Sequence, residues 1–144
     1  MENIKGVFFD FDGVLIDSLP SMKVAWTAVK ESFHVRADFK DFKKIIGIPF
    51  ISILKELKIN ERDFISIKKK YSEIASKNKK LIKLTPYVNE LITWLRGEKI
   101  KVAIVTSKDF ARTMELVEYF DLRVDAVVTP EQTFRGKPHP DPLF

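Results

Sequence analysis

The chain has 144 residues, a formal net charge of +5 and no cysteine, and 45% of its residues are hydrophobic. This composition excludes a disulfide scaffold, a thiol nucleophile and a cysteine-ligated metal centre, and it suits about one domain or a domain with a small insert. No apolar run approaches the roughly 18 residues of a membrane span, and the sequence starts without a signal peptide, so we expect a soluble, cytoplasmic protein with no membrane partner.

A short apolar run near the start of the chain ends in two carboxylates. Residues 4–9 are rich in β-forming side chains, which is typical of a strand buried on both faces of a parallel sheet. Asp10 and Asp12 follow one residue apart, so period-two alternation predicts that they point the same way, close enough to share a divalent cation. Ligands bind at the carboxyl ends of such strands, so the segment outlines a reaction centre, although solvated turn carboxylates explain it equally well by themselves.

An all-helical stretch is predicted next. Apolar side chains recur on one face of residues 21–33, which predicts an amphipathic helix. A second helix is predicted to begin at Asp38, to break at residues 47–49 and to resume over residues 50–57. Asn60 is then predicted to cap a long basic helix.

Two features of this stretch allow a functional and a structural interpretation. Gly47 lies in the helix break, where a glycine lets the backbone approach a ligand but also simply ends a helix. The lysines at 68–70 and between 77 and 83 accompany apolar residues at helical spacing. We therefore expect them to form a solvated helix face, and we expect no nucleic-acid partner.

A second strand is predicted to start at Lys101 and to end in the hydroxyl side chains of Thr106 and Ser107. It follows a helix that is predicted to start at Thr85 and to end before Gly97. Thr106 and Ser107 are placed to hydrogen-bond a phosphoryl oxygen. A helix predicted over residues 108–119 would offer unpaired N–H groups and its positive dipole end to an anion, and Ser107 is equally compatible with a plain helix cap.

The last predicted elements are a third strand, over residues 124–128, and a proline-rich loop. Residues 136–142 read GKPHPDP and carry one lysine, Lys137. In isolation this segment is an ordinary surface loop, because prolines restrict the backbone and exclude regular pairing.

Taken in order, these segments resemble the motifs of the haloacid dehalogenase superfamily, closest to its phosphoglycolate phosphatase and β-phosphoglucomutase-like branch. Residues 10–18, DFDGVLIDS, resemble the first motif, Thr106 the second and Lys137 the third. The resemblance implies an α/β fold, a Rossmann-like three-layer core with a parallel sheet plus an inserted all-helical cap. The core would comprise residues 1–16 and 85–144, and the mobile cap residues 17–84.

The resemblance also implies a chemistry. Asp10 would be the nucleophile that forms an aspartyl-phosphate, and Asp12 would serve as general acid and then as base. Thr106 and the N–H of Ser107 would bind the phosphoryl oxygens, Lys137 would neutralise charge, and the cap loop at Gly47 would face the substrate. Mg²⁺ would be held by Asp10, the main-chain carbonyl of Asp12 and a further acidic residue.

The implied function is a Mg²⁺-dependent phosphatase that hydrolyses a small phosphorylated metabolite, phosphoglycolate-like or a sugar phosphate. A fourth motif, which would supply the further acidic ligand, does not occur in the 144 residues, so we expect the core to be incomplete at its C-terminus. The missing strands would then belong to a longer polypeptide or come from elsewhere. Two alternatives stay open: a β-phosphoglucomutase-like phosphotransferase, and a non-catalytic phosphate-binding or interaction module.

Overall fold

The structure, a computed structural model, describes residues 4–144, so residues 1–3 of the predicted core lie outside the described part. The chain divides into two units, one containing the described residues through Asp17 together with Lys83–Phe144, the other Ser18–Ile82. The predicted α/β class, with a parallel sheet and flanking helices, is confirmed. No helix within residues 4–144 is long and apolar enough to cross a bilayer.

The described elements begin with two strands, continue with a run of helices, and alternate between strands and helices in the last part of the chain. In chain order they are β1 (Gly6–Phe9), β2 (Ile16–Asp17), α1 (Leu19–Phe33), α2 (Phe39–Lys44), α3 (Phe50–Glu56), α4 (Phe64–Lys77), β3 (Lys83–Leu84), α5 (Val88–Gly97), β4 (Lys101–Val105), α6 (Phe110–Tyr119) and β5 (Ala126–Val128). Short 3-10 helices lie between several of them. The strands β2 and β3 form an antiparallel pair that the sequence did not predict. They lie where the chain leaves the first unit and where it returns to it.

The first unit is built on a parallel sheet with the order β1-β4-β5 among the described strands. Pairing runs from Gly6 opposite Lys101 to Phe9 opposite Ile104, and β5 continues the register on the other side of β4. The central strand β4 is buried from its second residue onward, as its apolar sequence predicts. The parallel arrangement brings the carboxyl ends of all three strands to one edge.

The first strand departs from its prediction. The sequence suggests burial on both faces, but Phe8 is 58% exposed and Ile4, just before the strand, is 52% exposed. Among the described residues β1 pairs with β4 alone, so it forms one edge of the sheet and receives less cover than the central strand. Apolar composition predicts a strand here but not its place in the sheet.

The helix α5 also departs from its prediction, because it begins at Val88 rather than at Thr85. The N–H of Thr85 instead donates to the carbonyl of Leu15 at 2.9 Å, which continues the backbone pairing of β2 and β3. Tyr87, with φ 65°, then turns the chain into the helix. Gly97, predicted to follow the helix, is its last residue.

The second unit confirms the predicted helices, with end residues shifted by a few positions. Asp38 caps α2 in a reciprocal capping box with Asp41. Asn60 caps a 3-10 turn, Glu61–Asp63, rather than α4 itself, which starts one residue after that turn. Each of these caps satisfies backbone N–H groups that a helix start leaves unpaired.

An aromatic cluster forms the core of this second unit. Trp26 is fully buried, its ring lies 4.6 Å from that of Phe42, and its indole N–H donates to the carbonyl of Ala37 at 3.2 Å. The rings of Phe50 and Tyr71 lie 4.6 Å apart. Burying rings of this size is among the largest single apolar contributions to folding, about 2 kcal/mol or more each. The helical unit therefore has a core of its own.

Candidate active site

The segment after β1 is a turn, so it does not continue the alternation that the sequence predicts. The strand ends at Phe9, and the carbonyl of Phe11 accepts the N–H groups of residues 14–16 at 3.3, 3.0 and 3.2 Å. Gly13 adopts a φ of 79°, which a glycine reaches without strain. The backbone turn, rather than a continuing strand, therefore fixes where Asp10 and Asp12 lie.

Asp10 lies at the end of β1 and is held by two donors through a single oxygen. Its Oδ1 accepts the N–H of Phe11 at 2.7 Å and the ammonium of Lys137 at 3.0 Å. The Asp10 side chain is 42% exposed and that of Lys137 26%. Because both contacts use Oδ1, the Oδ2 atom lies outside them and can approach a ligand.

The loop that carries Lys137 is closed by an ion pair. Arg135 binds Asp141 in a bidentate manner, with Nε to Oδ2 at 3.0 Å and Nη2 to Oδ1 at 2.8 Å. The Arg135 guanidinium lowers the pKa of Asp141, chiefly through these hydrogen bonds. The only acidic residue that follows Lys137 in the sequence is therefore engaged in holding the loop.

Thr106 lies at the end of β4, beside the end of β1. Its side chain is buried, its N–H donates to the carbonyl of Val128 at 3.0 Å, and its Oγ1 accepts the N–H of Lys108 at 3.1 Å. As an acceptor in that contact, the hydroxyl keeps its own proton for another acceptor. Ser107, next in the chain, is half-buried.

The helix α6 starts two residues later than its predicted start at Lys108. The helix begins at Phe110, and its cap is Asp109, whose carboxylate accepts the N–H of Arg112 at 3.0 Å. Glu131 accepts the N–H of Phe110 at 3.1 Å. Two carboxylates thus accept the N–H groups of Phe110 and Arg112 at the helix start, and Asp109 rather than Ser107 is the cap.

Sequence reasoning misses one residue of this edge. The ammonium of Lys108 lies 3.2 Å from Oδ2 of Asp12, and the two side chains are only 12% and 16% exposed. The sequence contains a feature that could have indicated Lys108, because this lysine directly follows the hydroxyl pair at the end of a strand. The edge thus carries two carboxylates, each paired with a lysine from a different loop.

Gly47, the remaining predicted site residue, belongs to the second unit. Its φ is 116°, in a region that other residues rarely adopt, and a Cβ placed there would meet no atom within 4 Å. The backbone conformation alone therefore accounts for glycine at this position.

The oxygen donors at the sheet edge suit a hard cation. Mg²⁺ prefers carboxylate and carbonyl oxygens, commonly takes one or two carboxylates from the protein, and completes its shell with waters and substrate phosphate. A carboxylate oxygen of Asp10 and the main-chain carbonyl of Asp12 are donors of this kind. Within residues 4–144 no three acidic or histidine side chains converge, so these residues fit a partial Mg²⁺ site.

Comparison with known proteins places these features in a family context. Residues 7–144 match the model of the haloacid dehalogenase-like hydrolases. A hydrolase from Pseudomonas syringae superposes with a TM-score of 0.87 over 96% of this chain and 67% of that one, at 23% identity, which shows a shared fold.

The curated relatives are longer than this chain, which spans about two thirds of their length. The phosphorylated carbohydrates phosphatase of Thermotoga maritima is 29% identical over 96% of this chain and 67% of its own length. The β-phosphoglucomutase of Bacillus subtilis is 27% identical over 96% of this chain and 66% of its own length. Phosphoglycolate phosphatases occur among the other relatives.

Proposed function

Because the chain belongs to the haloacid dehalogenase-like hydrolases, we propose that it acts as a Mg²⁺-dependent phosphatase on a small phosphorylated metabolite through an aspartyl-phosphate intermediate. One observation carries the proposal: Oδ1 of Asp10 is held by Lys137 and the Phe11 N–H, which leaves Oδ2 outside both contacts. A carboxylate fixed in this way and flanked by a cation is suited to nucleophilic attack.

In the first step, Oδ2 of Asp10 forms a bond to phosphorus while the bond from phosphorus to the leaving oxygen breaks. Asp12 gives its proton to that oxygen, and the alcohol leaves. The Lys137 ammonium offsets the charge that brings an anionic nucleophile and an anionic phosphate together. Thr106 donates its hydroxyl proton to a phosphoryl oxygen, and the Ser107 N–H contributes a second donor.

In the second step, the Asp12 carboxylate takes a proton from a water molecule, and the resulting hydroxide attacks phosphorus. The bond between phosphorus and Oδ2 of Asp10 breaks, inorganic phosphate leaves, and Asp10 and Asp12 return to their starting states. Mg²⁺, held by Asp10 and the Asp12 carbonyl, would supply charge compensation and a template for the phosphate. Positioning and charge compensation supply most of the rate in phosphoryl transfer.

The relatives narrow the substrate class. They are named for phosphorylated carbohydrates and for phosphoglycolate, and we extend both chemistries to this chain as its proposed substrates. We also propose that the helical unit acts as the cap over the core, with Gly47 in its substrate-facing loop, and that the enzyme works in the cytoplasm. The lack of cysteine agrees with a reducing compartment without requiring one.

The direct test is phosphate release from a panel of sugar phosphates and phosphoglycolate, with and without Mg²⁺. We expect turnover that needs Mg²⁺, is removed by a chelator and is abolished by Asp10→Asn. The matched control is Asp121→Asn, since Asp121 is an exposed carboxylate at the far end of α6. Turnover that survives Asp10→Asn would overturn the proposed nucleophile.

One observation favours a second candidate, because a β-phosphoglucomutase is among the relatives. A mutase transfers the phosphoryl group to another sugar hydroxyl instead of water. Resemblance to the mutases would imply an arginine where this chain has Pro49-Phe50, so its absence there favours hydrolysis. Isomerised sugar phosphate in place of free phosphate would identify the mutase.

A further inference from the structure

We propose that Lys108 is a positioning residue for Asp12, which it holds in the orientation that serves the leaving group; this inference rests on the proposed function. The observation is the ion pair between the Lys108 ammonium and Oδ2 of Asp12, at 3.2 Å. A role through Asp12 sets Lys108 apart from Lys137, whose partner is the nucleophile itself.

The burial of this pair is the first argument. Lysine and aspartate are almost never deeply buried unless they are paired, and here the side chains are 12% and 16% exposed. The corresponding pair of Lys137 and Asp10 is 26% and 42% exposed. Away from bulk water a charge-assisted hydrogen bond is short, strong and directional, so the Lys108 contact restrains Asp12 more than a surface pair would. The ammonium donates to Oδ2 both when Asp12 is the carboxylate base and when it is the acid, whose transferable proton is then on the other oxygen.

The anchoring of Lys108 is the second argument. Its N–H donates to Oγ1 of Thr106 at 3.1 Å, and the next residue, Asp109, caps α6 through the N–H of Arg112 at 3.0 Å. The lysine therefore stands on backbone that is tied to the end of β4 and to the start of a helix. A lysine on anchored backbone can restrain the position of Asp12, whereas a lysine on a mobile loop would move together with Asp12.

The location of Asp12 is the third argument. Asp12 lies in the turn after β1, where no regular strand sets the direction of its side chain. Proton transfer to a leaving oxygen needs the donor within hydrogen-bond reach, and a displacement of about 1 Å can lower a rate about 100-fold. The restraint from Lys108 should therefore matter most when the leaving alcohol needs a proton.

This requirement gives a test that a merely structural lysine would not pass. We would measure kcat/KM, which reports the steps through phosphoryl transfer to Asp10, for alkyl phosphates and for p-nitrophenyl phosphate. For Lys108→Met we expect a loss of about 10- to 100-fold with alkyl phosphates, and less than about threefold with p-nitrophenyl phosphate, whose leaving group needs no proton. An equal loss with both kinds of substrate would overturn the proposal.

Three further variants isolate the role. Lys108→Arg keeps the cation and should retain most of the activity toward alkyl phosphates. Lys101→Met removes a lysine from the opposite end of β4 and should leave kcat/KM unchanged for both kinds of substrate. In the background of Asp12→Asn, Lys108→Met should cost less than about threefold, because residues that act as a unit are not additive. Additive losses would mean that Lys108 acts independently of Asp12.

A crystallographic comparison provides a readout other than turnover. We would determine the structures of the unmodified chain, Lys108→Met and Lys108→Arg, and compare the Asp12 carboxylate. A carboxylate that moves in Lys108→Met and returns in Lys108→Arg supports the proposal, and an unmoved carboxylate in Lys108→Met overturns it. If the unmodified chain releases no phosphate from any substrate, the proposed function fails, and this comparison still decides whether Lys108 positions Asp12.

Discussion

The two ends of the parallel sheet in the first unit both carry carboxylates beside cations, but they use them differently. At the amino end, Oδ2 of Asp125 accepts the N–H of Val102 at 2.9 Å and lies 3.0 Å from Arg96, and Oδ1 lies 3.1 Å from the Lys101 ammonium. At the carboxyl end, both contacts of Asp10 go to one oxygen.

The contrast shows how one residue type serves two purposes. A carboxylate whose two oxygens are both engaged by the protein joins strands and helices and has little capacity left for a ligand. A carboxylate held through one oxygen is oriented and still able to react or bind a metal. In this sheet the number of engaged oxygens distinguishes Asp125 from Asp10, whereas a neighbouring cation is common to both.

The largest effect should come from the carboxyl end. Asp12→Asn removes the proposed acid and base and should lower kcat by roughly 10²- to 10⁴-fold with alkyl phosphates. Because the change leaves the poorly exposed Lys108 ammonium without its charged partner, the thermal midpoint should fall as well. Steady-state phosphate release together with a thermal melt checks both expectations, and unchanged kcat would remove Asp12 from the mechanism.

Thr106→Val should produce the next largest effect. The change removes a hydroxyl that is proposed to bind phosphate, and loss of such a donor typically lowers kcat about 10²-fold or more. It also takes away the acceptor for the Lys108 N–H, which should lower the free energy of unfolding by about 1 kcal/mol. Thr106→Ser keeps the hydroxyl and serves as the control; equal kinetics for the two variants would contradict a phosphate contact.

Arg135→Gln should have a smaller effect on turnover. It breaks the bidentate pair with Asp141 and leaves the loop of Lys137 less ordered, but the pair is partly exposed and pairs of this kind contribute little. We expect kcat/KM to fall no more than about fivefold with the fold intact. Arg123→Gln, which removes an exposed arginine just beyond the far end of α6, is the matched control. A loss as large as that of Asp12→Asn would mean that the loop is directly catalytic.

Asp125→Asn should change stability and leave turnover unaltered. Hydrogen bonds from the Val102 N–H and then from Lys101 lower the pKa of Asp125 below its ordinary value of 3.8. A lowered pKa contributes stability that is present above that ordinary value and is lost as the pH falls through the folded-state pKa. Urea midpoints should therefore fall on acidification below pH 3.8 in the unmodified chain.

In Asp125→Asn the midpoint should already be lower at pH 7, and its change on acidification should be smaller. A loss of turnover in Asp125→Asn would contradict the conclusion that Asp125, unlike Asp10, has only a structural role. An unchanged pH profile of the midpoint would mean that the hydrogen bonds of Asp125 do not distinguish the folded from the unfolded state.

Much of the fold was predictable because its signals are local. The strand predicted from Lys101 to the hydroxyl pair is confirmed over Lys101–Val105, and the helix predicted to begin at Asp38 begins one residue later, with Asp38 as its cap. The prediction of α5 failed because backbone pairing from a distant segment took the N–H of Thr85. Composition alone did not predict the exposure of Phe8, because it is the same in a central and an edge strand.

In the candidate site, too, some features were predictable from the sequence and others depended on contacts between distant segments. The resemblance to the family's motifs pointed to Asp10, Asp12, Thr106 and Lys137, whereas the segment of Lys137 taken by itself is an ordinary surface loop. The ion pair of Lys108 and the two carboxylates that occupy the start of α6 were not visible in the order of residues.

By itself, then, the sequence determined the family, the strand and helix segments and the residue types at the carboxyl edge of the sheet. Only the tertiary structure decided which oxygen of each carboxylate is engaged, which lysine faces which aspartate and which strand lies at the sheet edge. The physical reason is that periodicity, caps and turn residues act within a few positions of the chain. Charge pairing and edge exposure depend on segments about 100 residues apart, such as Asp12 and Lys108, which meet only after folding.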